Sequence, residues 1–303
     1  MRRLTKSLLA AAGIVVVVLL ALISNLSIRS PAGTGTRITT TFFPLYDWAR
    51  NVAGTRAAVR NLTPSGTDPH DVDPTPEDIS AIISSTVFVH SGRAGMEPWL
   101  EKVLPTIDKT KTTVVDASLG VNLILGQAGY PDPHFWLDPV AAVTAVENIE
   151  LGLEKADPGN AAYYRQNAQI YIGRLNALRD AFVANLTTVR IRNIITFHES
   201  FGYWKRAYNL TEAGIYGFEP EGEPSAAHMQ ELVTLAKKNR ITTVLASNLD
   251  DPRWCQVLSD QIGGKVLVLD PLEGPTSEQE KTGKYNYIDR LYYDITVLKT
   301  ALV

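Results

Sequence analysis

Beyond residue 36, short apolar runs alternate with amphipathic ones to the end of the chain. Arg37–Phe43, rich in threonine and aromatics, reads as a strand that stops at Pro44, followed by a short helix over about Leu45–Val52. Ala57–Leu62, Thr86–Val89 and Thr112–Val115 read as further strands. Between them lie a helix opened at Thr75 and running to about Ser84, and another that contains Trp99. Strands alternating with helices predict a parallel sheet covered on both faces.

The pattern changes at Asp157-Pro158. Apolar side chains recur at Tyr164, Ala168, Tyr171, Leu175, Leu178, Phe182 and Leu186, spacings of four and three that trace one helical face. A helix over 158 to about 187 would be roughly 45 Å long, more than one lobe needs, and reads as a rigid backbone joining two lobes. The strand–helix plan then resumes. Strands are expected at Ile191–Phe197, Leu210–Tyr216, Ile241–Ala246 and Lys265–Leu269. Helices are expected at Ser200–Tyr208, from Ser225 to Asn239, at Pro252–Ile262 and at Tyr287–Leu302, with a polar loop over Glu273–Lys284. The fold class expected is therefore α/β: two lobes, each a mostly parallel sheet with flanking helices, joined by one long helix. The lobes are drawn at 37–157 and 189–303, with the connecting helix at 158–188.

The first thirty residues differ. Arg2, Arg3 and Lys6 precede an uncharged, mostly apolar run from Leu8 to Ile28, the pattern of a signal peptide or an N-terminal membrane anchor. Residues 31–36 read as a linker, and the rest of the chain is placed outside the membrane. Without Arg2, Arg3, Lys6 and Arg29, 25 basic residues face 32 acidic ones, a net of −7. Such a surface has no electrostatic reason to bind nucleic acid and weakly attracts cations. The single cysteine, Cys255, excludes an internal disulfide and a cysteine-rich metal cluster, and is expected to pack inside a helix.

Candidate chemistry centres on a repeated tripeptide. Asp68-Pro69-His70 and Asp132-Pro133-His134 each present an imidazole from a backbone stiffened by proline, and each precedes a helix start, Thr75-Pro76-Glu77-Asp78 or Asp138-Pro139. In a chain with five histidines, two such copies point to a metal site. His198 and Asp270 each follow an apolar strand directly, at the sheet edge where open α/β folds bind ligands. His70, His134, His198 and Asp270 make a full tetrahedral set for a divalent transition metal, Zn2+ or Mn2+, one per chain. His90 is left as structural or surface, and His228, in a first helical turn, as solvated. Glu199 is the residue that a metal-dependent hydrolase would use as base, whereas Phe42, Trp136, Phe201 and Tyr203 read as lobe packing.

Taken in order, these segments resemble the metal-binding (zinc or manganese) solute-binding proteins of ATP-binding-cassette importers, cluster A-I. The resemblance runs from Arg37 to Val303. It rests on Phe42-Phe43-Pro44, Gly66–Asp71, Pro74–Asp78, Asp132–Pro139, His198–Tyr203, Glu223-Pro224-Ser225 and Asp270-Pro271-Leu272. It implies two lobes with the metal held between them by His70, His134, His198 and Asp270, and delivery to a membrane permease. Histidine at the third position leans towards zinc. Leu119–Pro131 lacks the histidine-rich loop common among zinc members, and no lipidation cysteine follows the apolar leader. The alternatives are a metal-dependent hydrolase and a surface adhesin. Four protein ligands favour binding over catalysis, since catalytic zinc keeps a position open for water, and no His-Glu-x-x-His is present.

Overall fold

A computed structural model describes residues 35–126, 129–218, 220 and 222–303. The expected leader, 1–30, lies outside the described residues. Among the described residues no helix is long and apolar enough to cross a membrane.

Two four-stranded parallel sheets form the frame. The first contains β1 (Thr36–Thr40), β2 (Ala57–Asn61), β3 (Val87–His90) and β4 (Thr113–Asp116) in the order β2-β1-β3-β4. The second contains β5 (Asn193–His198), β6 (Thr211–Tyr216), β7 (Thr243–Ala246) and β8 (Lys265–Val268) in the order β6-β5-β7-β8. The inner strands β3 and β7 are buried at every residue, while the edge strand β2 alternates between half-buried and exposed. That contrast is what a sheet covered on both faces imposes on its centre and relaxes at its rim.

The helices of the first lobe are α1 (Phe43–Ala53), α2 (Pro76–Ser84), α3 (Leu100–Val103) and α4 (Pro139–Ala156), and α5 (Ala161–Leu186) follows. In the second lobe come α6 (Tyr203–Tyr208), α7 (Ala226–Asn239), α8 (Arg253–Ile262), α9 (Ser277–Thr282) and α10 (Tyr287–Ala301). Pro44 does not delay α1 but sits in its first turn, where a missing N–H leaves no bond unmade. Thr75 caps α2 in a reciprocal box: its hydroxyl accepts from the Asp78 N–H, and the Asp78 carboxylate accepts from the Thr75 N–H. The helix expected around Trp99 is a single turn, and the polar stretch after Glu273 contains α9, capped in the same way by Thr276 and Gln279.

The long helix α5 buries Tyr164, Ala168, Tyr171, Leu175, Leu178, Phe182 and Leu186, the face that the periodicity traces. At 26 residues it is about 39 Å long. A 3-10 turn over Pro158–Asn160 precedes it, so the helix proper starts three residues later than expected. Its buried face belongs to one apolar cluster that reaches both sheets, through Ile38, Val87 and Val115 on one side and Ile194, Leu245 and Leu269 on the other. Trp48 of α1 meets Tyr287 of α10 at 5.2 Å between ring centroids, and Phe182 of α5 stacks on Tyr208 of α6 at 5.0 Å. The lobes are therefore joined by a shared core as well as by a helix. Smaller clusters cover the remaining face of each sheet, and Cys255 is buried in that of the second.

Candidate metal centre

In both sheets the strand order reverses between the two inner strands, and the side chains of interest gather beyond the strand ends there. His198 is the last residue of β5. His70 lies in a 3-10 turn, Pro69–Asp71, on the connection from β2 to α2. His134 precedes a 3-10 turn, Phe135–Leu137, on the connection from β4 to α4. The two Asp-Pro-His copies fold alike. Asp68 Oδ1 accepts the His70 backbone N–H at 2.9 Å, and Asp132 Oδ1 accepts that of His134 at 2.9 Å. Each aspartate thus closes a turn around its proline and fixes where the histidine starts.

Three imidazoles converge on one carboxylate. One donor atom from each of His70, His134, His198 and Glu273 lies within 4.8 Å of the other three. His70 Nε2 and His134 Nε2 are 3.2 Å apart, and Glu273 Oε1 stands 3.0 Å from His198 Nε2 and 3.5 Å from each of the other two. Four ligands about 2.05 Å from a tetrahedral ion would be separated by about 3.3 Å, so these spacings suit an ion of zinc's size. His70 is 6% exposed at its side chain and the other three 1% or less. Asp132 Oδ1 also lies 2.9 Å from His134 Nδ1. A carboxylate there holds a proton on Nδ1, so that Nε2, once it has lost its own proton, turns its lone pair to the cluster, the arrangement that orients metal-binding histidines.

The fourth member departs from the sequence expectation. Asp270 stands outside the group because its oxygens are already engaged. Oδ1 accepts from the Leu272 N–H at 2.9 Å and from the Tyr285 hydroxyl at 3.0 Å. Oδ2 accepts from Tyr285 at 3.0 Å and from Arg290 Nε at 2.9 Å. Glu273, three residues on, supplies the carboxylate instead. Its one local signal is a place between Pro271 and Pro275 in the stiffened loop after β8. What diverts Asp270 comes from residues fifteen and twenty positions away, which no local pattern reveals.

The electrostatics agree with a cation-binding pocket. Burial alone would raise the Glu273 carboxyl, but the three imidazoles, His198 foremost, hold it well below the usual range. Burial alone would lower His134, but Asp132 and Glu273 outweigh it and raise the imidazole to about 9. Glu273 Oε2 is buried without a hydrogen-bond partner among the described residues.

The other candidates lie elsewhere. His90 is buried, accepts the Gly92 N–H on Nδ1, and is lowered to about 4 by desolvation. His228 is partly exposed, with Nε2 3.0 Å from the Gly214 carbonyl. Glu199 lines a separate cavity of about 300 Å³ with Tyr130, Tyr216, Phe218 and His228, and is not among the four converging residues. Phe42, Trp136, Phe201 and Tyr203 are buried packing residues. Three of the aromatics nearby also tie the lobes together beside the site. Trp136 Nε1 donates to the Pro271 carbonyl, the Tyr203 hydroxyl to that of Asp132, and Trp204 Nε1 to that of Leu137.

Comparison with known proteins adds relatives to this geometry. The family described as zinc-uptake complex component A, periplasmic, matches residues 38–301. The high-affinity zinc uptake system protein ZnuA of Bacillus subtilis is 31% identical over 285 residues, 89% of each chain. The zinc-binding lipoprotein AdcA of Streptococcus pneumoniae is 34% identical over 86% of this chain, which spans 55% of that protein. The Zn(II)-bound ZnuA-like domain of the same AdcA superposes with a TM-score of 0.78 at 33% identity, covering 89% of this chain and 99% of that domain. The laminin-binding protein Lmb of Streptococcus agalactiae, described as having adhesin and metal transporting activity, gives a TM-score of 0.82 at 28% identity. That match covers 89% of this chain and all of the other.

Proposed function

The chain belongs to the family of zinc-uptake complex component A, and from that premise we propose that it captures one Zn2+ between its lobes and delivers it to the permease of an ATP-driven importer. The ligands proposed are His70 Nε2, His134 Nε2, His198 Nε2 and Glu273. The observation that carries this reading is the convergence of those four buried groups within 4.8 Å. Four electron-rich atoms so close repel one another unless a cation or protons lie among them, and a 2+ ion removes that repulsion while binding all four. Nitrogen-rich donors with one carboxylate favour zinc, with Mn2+ the competitor to be tested.

The hydrolase reading has less support. Four protein ligands leave no position for an activated water, and Glu199 belongs to a different cavity. The basic, then apolar, leader supports a location of the binding lobes on the outer side of the membrane, either released or held by residues 1–30. The metal would there be met before it reaches the permease.

Parallel titration of metal-free protein with Zn2+ and Mn2+ tests the binding step. One equivalent of zinc should bind, with zinc preferred over manganese. His70→Ala and His198→Ala should each abolish most of the zinc-induced rise in Tm, because that rise follows binding to the folded state. A wild-type chain that takes up no stoichiometric zinc would sink the reading. Delivery is tested with the reconstituted permease, whose ATP hydrolysis should rise with zinc-loaded protein and not with the His198→Ala variant.

A further inference from the structure

The loop that brings Glu273 to the cluster bends where an ordinary residue resists bending. Leu272, fully buried, has φ +58°, a left-handed conformation that disfavours any side chain with a Cβ. The backbone needs an external restraint to stay there. Glu273 itself supplies none among the described residues: Oε1 faces the imidazoles, and Oε2 has no hydrogen-bond partner there.

The restraint lies on the other side of the turn. Asp270 Oδ1 accepts the Leu272 N–H, closing the bend from within. Asp270 is in turn gripped by the Tyr285 hydroxyl, which reaches both oxygens, and by Arg290 Nε, while its own N–H donates to Asp294 Oδ1. Arg290 stands on α10 and lies over the Tyr285 ring at 5.6 Å, and that ring packs edge-on against Phe43 at 4.7 Å. Arg290 and Asp294 stand on α10, whose inner face is part of the shared core, and Tyr285 precedes that helix and packs against the same core. The Pro271 carbonyl, between Asp270 and Leu272, accepts from Trp136, two residues beyond His134.

We infer that Asp270, clamped by Tyr285 and Arg290, is the positioning residue for Glu273: it holds the left-handed turn at Leu272 and so decides whether the site has three protein ligands or four. The inference rests on the zinc site proposed above. Releasing the clamp lets Leu272 return to ordinary backbone geometry and swings Glu273 away, leaving a three-histidine site with a position open to water.

The test compares wild type, Asp270→Ala and Tyr285→Phe, each with Glu273 intact and with Glu273→Ala. Zinc affinity is read against a competing chelator, and coordination from the visible spectrum of the Co2+-loaded protein. Asp270→Ala should lower zinc affinity by about 10- to 100-fold, as loss of a group that orients a metal ligand does. Its Co2+ spectrum should match that of Glu273→Ala. In the Glu273→Ala background the Asp270 change should have almost no further effect. Tyr285→Phe keeps the ring against Phe43 and should show the same dependence on Glu273 with a smaller loss; it carries the test if Asp270→Ala does not fold. Unchanged affinity and spectrum, or an equal loss with and without Glu273, would overturn the positioning role. A wild-type chain without zinc uptake would overturn the site and this inference together, and is told apart by that first titration.

Discussion

Replacing Asp132 by asparagine probes how the site handles protons. Asp132 Oδ1 bonds both the backbone N–H and the ring Nδ1 of His134, and both residues are almost fully buried. Burial works against a charged His134, but Asp132 and Glu273 raise it to about 9. On the proposed coordination, zinc at pH 7 has to displace a proton from His134, a competition across about two pH units that weakens apparent binding by about 100-fold. Asp132→Asn removes the charge that stabilises the imidazolium, so the proton leaves at lower pH and that competition shrinks. The same change loosens the ring orientation and lowers intrinsic zinc affinity by about 10- to 100-fold. At pH 7 the two effects offset each other, whereas above pH 9 only the loss remains. The ratio of wild-type to variant affinity should therefore widen by up to about 100-fold between pH 7 and pH 9. Calorimetric titrations in buffers of different ionisation enthalpy measure both affinity and proton release. Wild type should release about one proton at pH 7.5 and the variant fewer. A ratio that stays flat across this range, with equal proton release, would refute the argument.

Three further outcomes are expected. In metal-free protein the His134 shift stabilises the fold fully below pH 6.5, its ordinary value, and that contribution is lost as pH rises through about 9. Thermal denaturation should therefore show Tm falling over that interval, and saturating zinc should flatten the fall. Gly152→Ala would drive a Cβ into Val115 Cγ2, and overpacking of this kind costs about 1–3 kcal/mol, visible as a lower denaturant midpoint. Leu178→Ala, at the middle of the shared core, should cost about 2–5 kcal/mol. Because both lobes lean on that core, probes in either lobe should report the same shifted midpoint; two separate transitions would contradict a shared core.

Much of this was legible in the sequence because it depends on local chemistry. The four-and-three spacing along α5 names its buried face residue by residue, since helix periodicity alone decides which side chains share a face. Thr75, Pro76 and Asp78 announce the start of α2 because a capping box satisfies its own N–H groups within four residues. The Asp-Pro-His repeats expose His70 and His134 for the same reason, each turn being closed by its own aspartate. The carboxylate was not legible. Asp270 and Glu273 sit in one short loop, and the choice between them is made by Tyr285 and Arg290, which reach Asp270 from beyond α9 and from α10. The path of the core was equally hidden. No pattern within α10 says that Tyr287 will meet Trp48, more than two hundred residues earlier.

That last contact bears on how the chain comes to be folded. Tyr287 and the buried face of α10 close a core whose other walls, α1, α4 and α5, are all made earlier. Until the final helix arrives, Trp48 and the inner face of α5 lack part of their cover, so the first lobe has no complete interior of its own. Contacts this distant along the chain make folding slow and leave the earlier segments waiting. Consolidation of the core waits for the last helix, and the loop that carries Glu273 is tied down by that same helix through Arg290 and Asp270.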